Sequence, residues 1–138
     1  MKTQLLLSVV LALFSLSAVH AADVIDEKGF QKHMKQVGQA NRDFKGNFES
    51  KNAAAIQKSA ATVADAYKAM AGFFKARKTD DAVKWADDSA TAASATAAAA
   101  KAGDWDQVRS HWGAVGRNCK SCHDKYREKL DDGSYRIK

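Results

Sequence analysis

The apolar positions of this chain recur at steps of three, four and seven residues, which is the spacing of one face of a helix. Two such series predict a first helix over about 26–49 and a second over about 52–78. Asp26 is placed to cap the first helix. The first series comprises Phe30, Met34, Val37, Phe44 and Phe48. The second comprises Ile56, Val63, Tyr67, Met70 and Phe74.

Alanine content and turn residues predict two further helices. The third spans about 79–102 and is rich in alanine, the residue with the highest helix propensity. Gly103 ends it as a C′ residue. Asp104 caps a fourth helix over about 105–130, whose apolar positions run from Trp105 to Tyr126, and Trp112 among them is expected to pack in the core. We expect the polar tail, 131–138, to be irregular.

The fold class follows from these helices and from what the chain lacks. The sequence contains no proline, so no residue forces a helix to break. No segment alternates with period two, and no strand is predicted. Four helices of similar length with short connections predict an all-α fold, an antiparallel up-down-up-down four-helix bundle.

The first 21 residues have the pattern of a secretory signal peptide. Lys2 supplies a positive start, an apolar run follows, and small residues surround a cleavage point after Ala21. The run is short for a retained membrane anchor, which needs about 20 residues. We therefore expect 1–21 to be cleaved and 22–138 to form the exported domain, with no stable membrane insertion and a bacterial periplasm as its compartment.

The net charge of the chain indicates which kinds of binding partner are expected. The predicted mature chain has 117 residues, the length of a single domain, and its 21 basic and 16 acidic residues give a net charge of +5. A basic surface steers a protein towards acidic partners. Nucleic acid is an unsuitable partner for an exported protein, and most of these lysines are expected on solvated faces.

The motif Cys119-Lys120-Ser121-Cys122-His123 carries the most specific chemistry. Its Cys-x-x-Cys-His pattern is the attachment signature of c-type haem. Two nearby thiols form thioether bonds with the vinyl groups of one haem, and the adjacent histidine donates a ring nitrogen to the iron. The predicted cofactor is one haem c, attached through Cys119 and Cys122, with His123 as the proximal ligand.

Two other interpretations of the cysteine pair remain open. A redox disulfide of the thioredoxin kind would follow a strand, and no strand pattern precedes this motif. A zinc site would need further ligands, and the chain has only two cysteines. The remaining histidines are His20, His33 and His111.

A haem motif on the last of four helices resembles the class II c-type cytochromes, the cytochrome c-prime superfamily. The stretch 116–127 is similar to that family's pattern of motif, two further residues, an aromatic and an arginine. In the first helix, 30–38 resembles the low-spin, methionine-ligated branch typified by cytochrome c-556. High-spin members carry an arginine where this chain has Phe30, which argues against the high-spin branch.

The resemblance assigns further residues to the site. It implies that Met34 faces the distal side of the haem and ligates the iron, although a methionine on an apolar stripe is more often core. His33 competes with it, but neighbouring helix positions point about 100° apart, and His33 lies off the stripe. Arg127 is expected to pair with a propionate or shield His123, Arg117 to reach a propionate, and Tyr126 to pack at the haem edge.

The sequence thus predicts a periplasmic electron-transfer protein, not an enzyme, with one haem c cycling between Fe(III) and Fe(II) under His123/Met34 axial ligation. The alternative is a five-coordinate, high-spin cytochrome c-prime that binds nitric oxide or carbon monoxide as a gas sink or sensor. A peroxidase would need a distal acid–base residue, and His33 has the wrong helical phase.

Expected partners are redox proteins, acidic ones among them, and the chain is expected as a monomer or homodimer. The candidate docking lysines are Lys32, Lys35, Lys120 and Lys125.

Overall fold

The protein is described by a computed structural model that covers residues 24–138. The elements are α1 (Glu27–Glu49), α2 (Ala53–Ala76), α3 (Asp80–Ala102), α4 (Trp105–Val115), α5 (Cys119–Tyr126), β1 (Arg127–Lys129) and β2 (Tyr135–Ile137). The predicted all-α four-helix bundle is confirmed, with α4 and α5 together in the place of the fourth helix. The predicted signal peptide lies outside the described residues. No helix within 24–138 combines the length and apolarity that a membrane crossing requires.

The helix ends follow the capping residues of the sequence. The backbone N–H of Gly29 donates to Asp26 Oδ1 over 2.7 Å, which confirms the predicted cap of α1. Asn52 and Asp104 cap α2 and α4 in the same way. Gly103 ends α3 in the left-handed region with φ at 73°, a conformation that glycine adopts without steric cost.

The core lies between helices that are consecutive in the chain. Helix α2 packs against α1 and α3, and α3 packs against α4. Phe30 of α1 lies in an aromatic cluster, its ring centroid 4.8 Å from Phe73 and 5.3 Å from Phe74. Trp112 is buried, as predicted, and stacks on Phe44 at 4.7 Å. Helix α3 contributes mostly buried alanines, so its neighbours approach its backbone closely.

The fourth helix is not continuous, and the prediction of one helix over 105–130 was wrong in this respect. A turn over 116–118 separates α4 from α5. The N–H of Arg117 donates to the Ala114 carbonyl and that of Cys119 to the Gly116 carbonyl, both over 3.2 Å. These three-residue steps replace the four-residue ladder of an α-helix, and Gly116 has the low helix propensity that favours such a break.

The C-terminal tail is a β-hairpin, so the predictions of an irregular tail and of no strand were wrong. Strand β1 pairs with β2 in antiparallel register, Arg127 opposite Ile137, Glu128 opposite Arg136 and Lys129 opposite Tyr135. The turn contains Gly133 at φ 82°, a left-handed conformation suited to glycine. Strands of three residues are too short to show a period-two pattern, which is why the sequence did not reveal them.

Candidate haem site

A cavity of about 820 Å³ opens between α1, α2, α3, α5 and the hairpin. Its volume falls within the range of roughly 300–1,000 Å³ that is typical of small-molecule and cofactor sites. Most of its wall is apolar, with polar groups at a few points. The apolar and aromatic lining includes Phe30, Met34, Val37, Tyr67, Met70, Phe74, Trp85 and Tyr126.

The first turn of α5 brings the three motif residues to one wall of this cavity. Cys119 and Cys122 are three positions apart, so their side chains lie on the same face of the helix. Both are free, half-buried thiols, and His123 lines the cavity beside them. Over 24–138, no three His, Cys, Asp or Glu side chains cluster so as to hold a metal ion. The zinc interpretation therefore lacks ligands within the described part of the chain.

Burial sets the protonation of these groups. It raises the pKa of Cys122 to about 11, and Cys119 and Asp81 add to the effect through their negative charge. A thiol that stays protonated at neutral pH is a poor disulfide-exchange nucleophile, which weakens the redox-disulfide interpretation. Burial also lowers the pKa of His123, as does the nearby Arg127 guanidinium. The imidazole is therefore neutral at pH 7 and keeps a nitrogen lone pair for a metal.

Two methionines face the same cavity. Met34 of α1 is half-buried and lines it, in agreement with the predicted phase of the first helix. Met70 of α2 also lines it and is almost fully buried. Sequence reasoning placed Met70 in the core only, because nothing in its spacing distinguishes a cavity wall from packed interior. His33 does not line the cavity; it is half-buried, and its Nδ1 lies 2.9 Å from Gln36 Oε1.

Tyr67 brings a buried hydroxyl to the cysteine wall. Its oxygen lies 3.7 Å from Cys119 Sγ, within reach of a weak hydrogen bond. Burial raises the pKa of this phenol strongly, and Cys119 raises it further, so the hydroxyl keeps its proton. Sequence reasoning assigned Tyr67 to the apolar stripe of the second helix and missed this contact, which depends on how α2 meets α5.

Helix α5 is tied to α3 through Asp81, a second residue that sequence reasoning missed. The Tyr126 hydroxyl donates to Asp81 Oδ1, and Lys125 Nζ lies 2.5 Å from Asp81 Oδ2. These two partners lower the pKa of the Asp81 carboxyl. The Tyr126 ring lies 5.3 Å from Phe74 and lines the cavity. The link therefore fixes the end of the helix that carries the cysteines and His123.

Four cationic side chains contribute to the lining of the cavity. Arg127 lines it, and its guanidinium stacks over the Tyr135 ring at 3.4 Å. Lys35, Arg42 and Arg136 also contribute to the lining. Arg117 does not: it is exposed in the turn between α4 and α5. The structure thus separates Arg117 from the other predicted site residues, because Arg117 lies in the exposed turn that interrupts the fourth helix.

This donor set fits a c-type haem. A flat apolar macrocycle suits the aromatic and aliphatic walls, and two free thiols and an imidazole stand together on one wall. The cations fit the two carboxylates that such a haem carries. Cys119, Cys122 and His123 would hold the group, with Met34 and Met70 as further sulfur atoms in the same cavity.

Comparison with known proteins agrees with this fit. The family model described as Cytochrome C' matches residues 23–127. A search of curated proteins and a search of solved structures returned no match. The matched span covers α1 to α5 and the whole Cys-x-x-Cys-His motif, and it ends at the first residue of the hairpin. The chain therefore belongs to the cytochrome c′ family, whose members are haem c proteins.

Proposed function

We propose that the protein is a periplasmic electron-transfer cytochrome of the low-spin, methionine-ligated kind, with His123 and Met34 as axial ligands. The observation that carries this proposal is that Met34 and His123, on helices far apart in the sequence, line one cavity. A thioether and a neutral imidazole in one apolar site are the donor pair that favours reversible one-electron chemistry. The periplasmic location rests on the signal peptide predicted over 1–21.

When bound, haem supplies the one-electron Fe(III)/Fe(II) couple. Cys119 and Cys122 anchor it, and His123 offers a nitrogen whose proton is lost because burial and Arg127 lower its pKa. A thioether from Met34 favours the ferrous state and raises the reduction potential relative to a second imidazole. Phe30 and Met70 are buried and give the cavity apolar walls, and an apolar environment would raise the reduction potential in the same direction.

Charge at the cavity supports a role for the surrounding cations. Arg127 and Arg42 are available to pair with carboxylates at the edge of the site, and Lys35 is exposed beside them. A surface of this sign steers an acidic redox partner towards the site. No catalytic role is proposed, because a haem peroxidase needs a distal acid–base residue and His33 does not line the cavity.

A second candidate is gas binding at a five-coordinate iron. The observation in its favour is that Phe30, Val37 and Met70, all buried, line the cavity together with Met34. A site of this polarity would admit a small apolar gas such as nitric oxide or carbon monoxide if Met34 did not ligate.

Visible absorption spectra of the holoprotein test the two candidates. They are recorded for the oxidised, reduced and carbon monoxide-treated reduced protein, in wild type, Met34→Leu and the matched control Met70→Leu. Electron transfer with Met34 ligation predicts a low-spin spectrum with a sulfur-to-iron charge-transfer band, unchanged by carbon monoxide in wild type and Met70→Leu. Met34→Leu should become high-spin and respond to the gas at once. A high-spin, gas-responsive wild type would overturn the assignment.

A further inference from the structure

The C-terminal hairpin lies outside the span that defines the family and has its own local order. The family match ends at residue 127, where β1 begins. Asp132 Oδ1 accepts the backbone N–H of Ser134 over 2.8 Å and its hydroxyl over 2.6 Å, which closes the turn. Arg136 Nε lies 2.6 Å from Glu128 Oε2 across the strand pair. These contacts define a folded appendage in place of a loose tail.

One edge of β2 is used by α1. The backbone bonds that flank the strand pair run from the Leu130 N–H to the Ser134 carbonyl and from the Lys138 N–H to the Tyr126 carbonyl, each 2.9 Å. By the alternation of an antiparallel pair, the backbone groups of Tyr135 and Ile137 point away from β1. A strand edge of this kind needs partners.

Helix α1 supplies those partners from two successive turns of one face. The Ile137 N–H donates to Glu27 Oε1 over 3.0 Å. Gln31 Nε2 donates to the Tyr135 carbonyl over 2.9 Å. Glu27 and Gln31 are four positions apart, so they lie one above the other on the helix. Ile137 is half-buried and packs against the core cluster that contains Phe30.

The two hydrogen bonds from α1 to β2 are made by residues about one and two helical turns before Met34. Gln31 lines the cavity three positions before Met34, on the same helix face. Tyr135, Arg136 and Ile137 line it as well, so the hairpin forms part of the wall. Because β1 continues directly from α5, the hairpin joins the segment that carries His123 to the turn that carries Met34.

We propose that the hairpin is a clasp, a segment that holds the Met34-bearing turn of α1 against the haem-attachment segment. Glu27 and Gln31 are the positioning residues through which it does so. The clasp restricts the entry of small ligands on the α1 side of the cavity. The proposal rests on the proposed ligand role of Met34 for its consequence at the iron. The clasp itself rests on the two hydrogen bonds between α1 and β2.

Amide hydrogen exchange of the holoprotein tests the clasp independently of iron ligation. Four proteins are compared: wild type, the double variant Glu27→Ala with Gln31→Ala, the conservative variant Glu27→Gln, and the control Lys28→Ala, which changes an exposed α1 residue. In the double variant, the exchange protection factors of residues 27–35 and of the hairpin should fall about tenfold, the scale of two lost hydrogen bonds. The protection factors of α2 should not change. Glu27→Gln with Gln31 intact keeps both acceptor and donor and should retain wild-type protection. Equal protection in the double variant and wild type overturns the clasp.

Carbon monoxide association to the reduced proteins tests the consequence at the site, which a merely stabilising contact would not change. The double variant should bind the gas about tenfold faster than wild type and Lys28→Ala, because a loosened α1 releases Met34 more often. If hydrogen exchange becomes faster in the double variant while the carbon monoxide association rate stays the same, the hairpin does not restrict ligand entry. Immediate binding by wild type itself is a failure of the proposed function, and the exchange data then decide the clasp alone.

Discussion

Replacing Phe30 with alanine tests the packing that supports the α1 wall of the cavity. The Phe30 side chain is 4% exposed, and its ring contacts Phe73 and Phe74 at centroid distances of 4.8 and 5.3 Å. Truncation of a buried phenylalanine costs about 3–5 kcal/mol, which includes the loss of both aromatic pairs. At roughly 4 °C per kcal/mol for a domain of this size, Tm falls by about 12–20 °C.

Thermal unfolding of the holoprotein, followed by circular dichroism, measures this loss. Phe30→Leu keeps most of the buried volume and should cost only about 1–2 kcal/mol. Val24→Ala is the surface control, because Val24 is 59% exposed and its change should stay within about 0.5 kcal/mol. If Phe30→Ala lowered Tm no more than Val24→Ala does, the aromatic cluster would not be the support of α1 that the structure describes.

Three further predictions concern charge, attachment and backbone. The folded Asp81 pKa lies below its ordinary value of about 3.9, so its link to Lys125 stabilises the fold above that pH and is lost as pH falls through the folded value. Thermal scans from about pH 6 to about pH 3 should therefore show a smaller Tm loss for Asp81→Asn than for wild type, and equal losses would contradict the link. When Cys119 and Cys122 are both replaced with serine, the mass of the chain measured after denaturation should lack the haem. A mass that includes haem would disprove attachment through these thiols. A Cβ added at Gly103 would meet no neighbour within 4 Å, but the φ of 73° is strained for alanine by about 1–2 kcal/mol. Gly103→Ala should therefore lower Tm by roughly 4–8 °C, and an unchanged Tm would exclude the left-handed turn.

The elements governed by local rules were predictable from the sequence. Asp26 and Asp104 cap their helices, and Gly103 ends α3, as their residue types require. The apolar stripes placed Phe30 and Trp112 in the core. Period and capping act within one or two turns of chain, so a single sequence carries that information.

The features that depend on contacts between elements were not predictable. In the sequence, Asp81 is simply one of two acidic residues at the start of a helix. Only the packing of α5 on α3 brings it to Lys125 and Tyr126. Met70 shares its stripe with Phe74, and only the space between helices makes it a cavity wall. The hairpin strands are too short for a period, and β2 is supported by partners more than 100 residues earlier in the chain, such as Glu27.

X-ray absorption at the iron edge tests the central claim, thioether ligation by Met34, most directly. Covalent attachment through Cys119 and Cys122 leaves their sulfur atoms bonded to carbon, so a sulfur atom bound to iron would come from a methionine. The account predicts one sulfur ligand in both the oxidised and the reduced wild type, retained in Met70→Leu and lost in Met34→Leu. An iron with nitrogen ligands alone in the wild type, or a sulfur ligand that survives Met34→Leu, would contradict it.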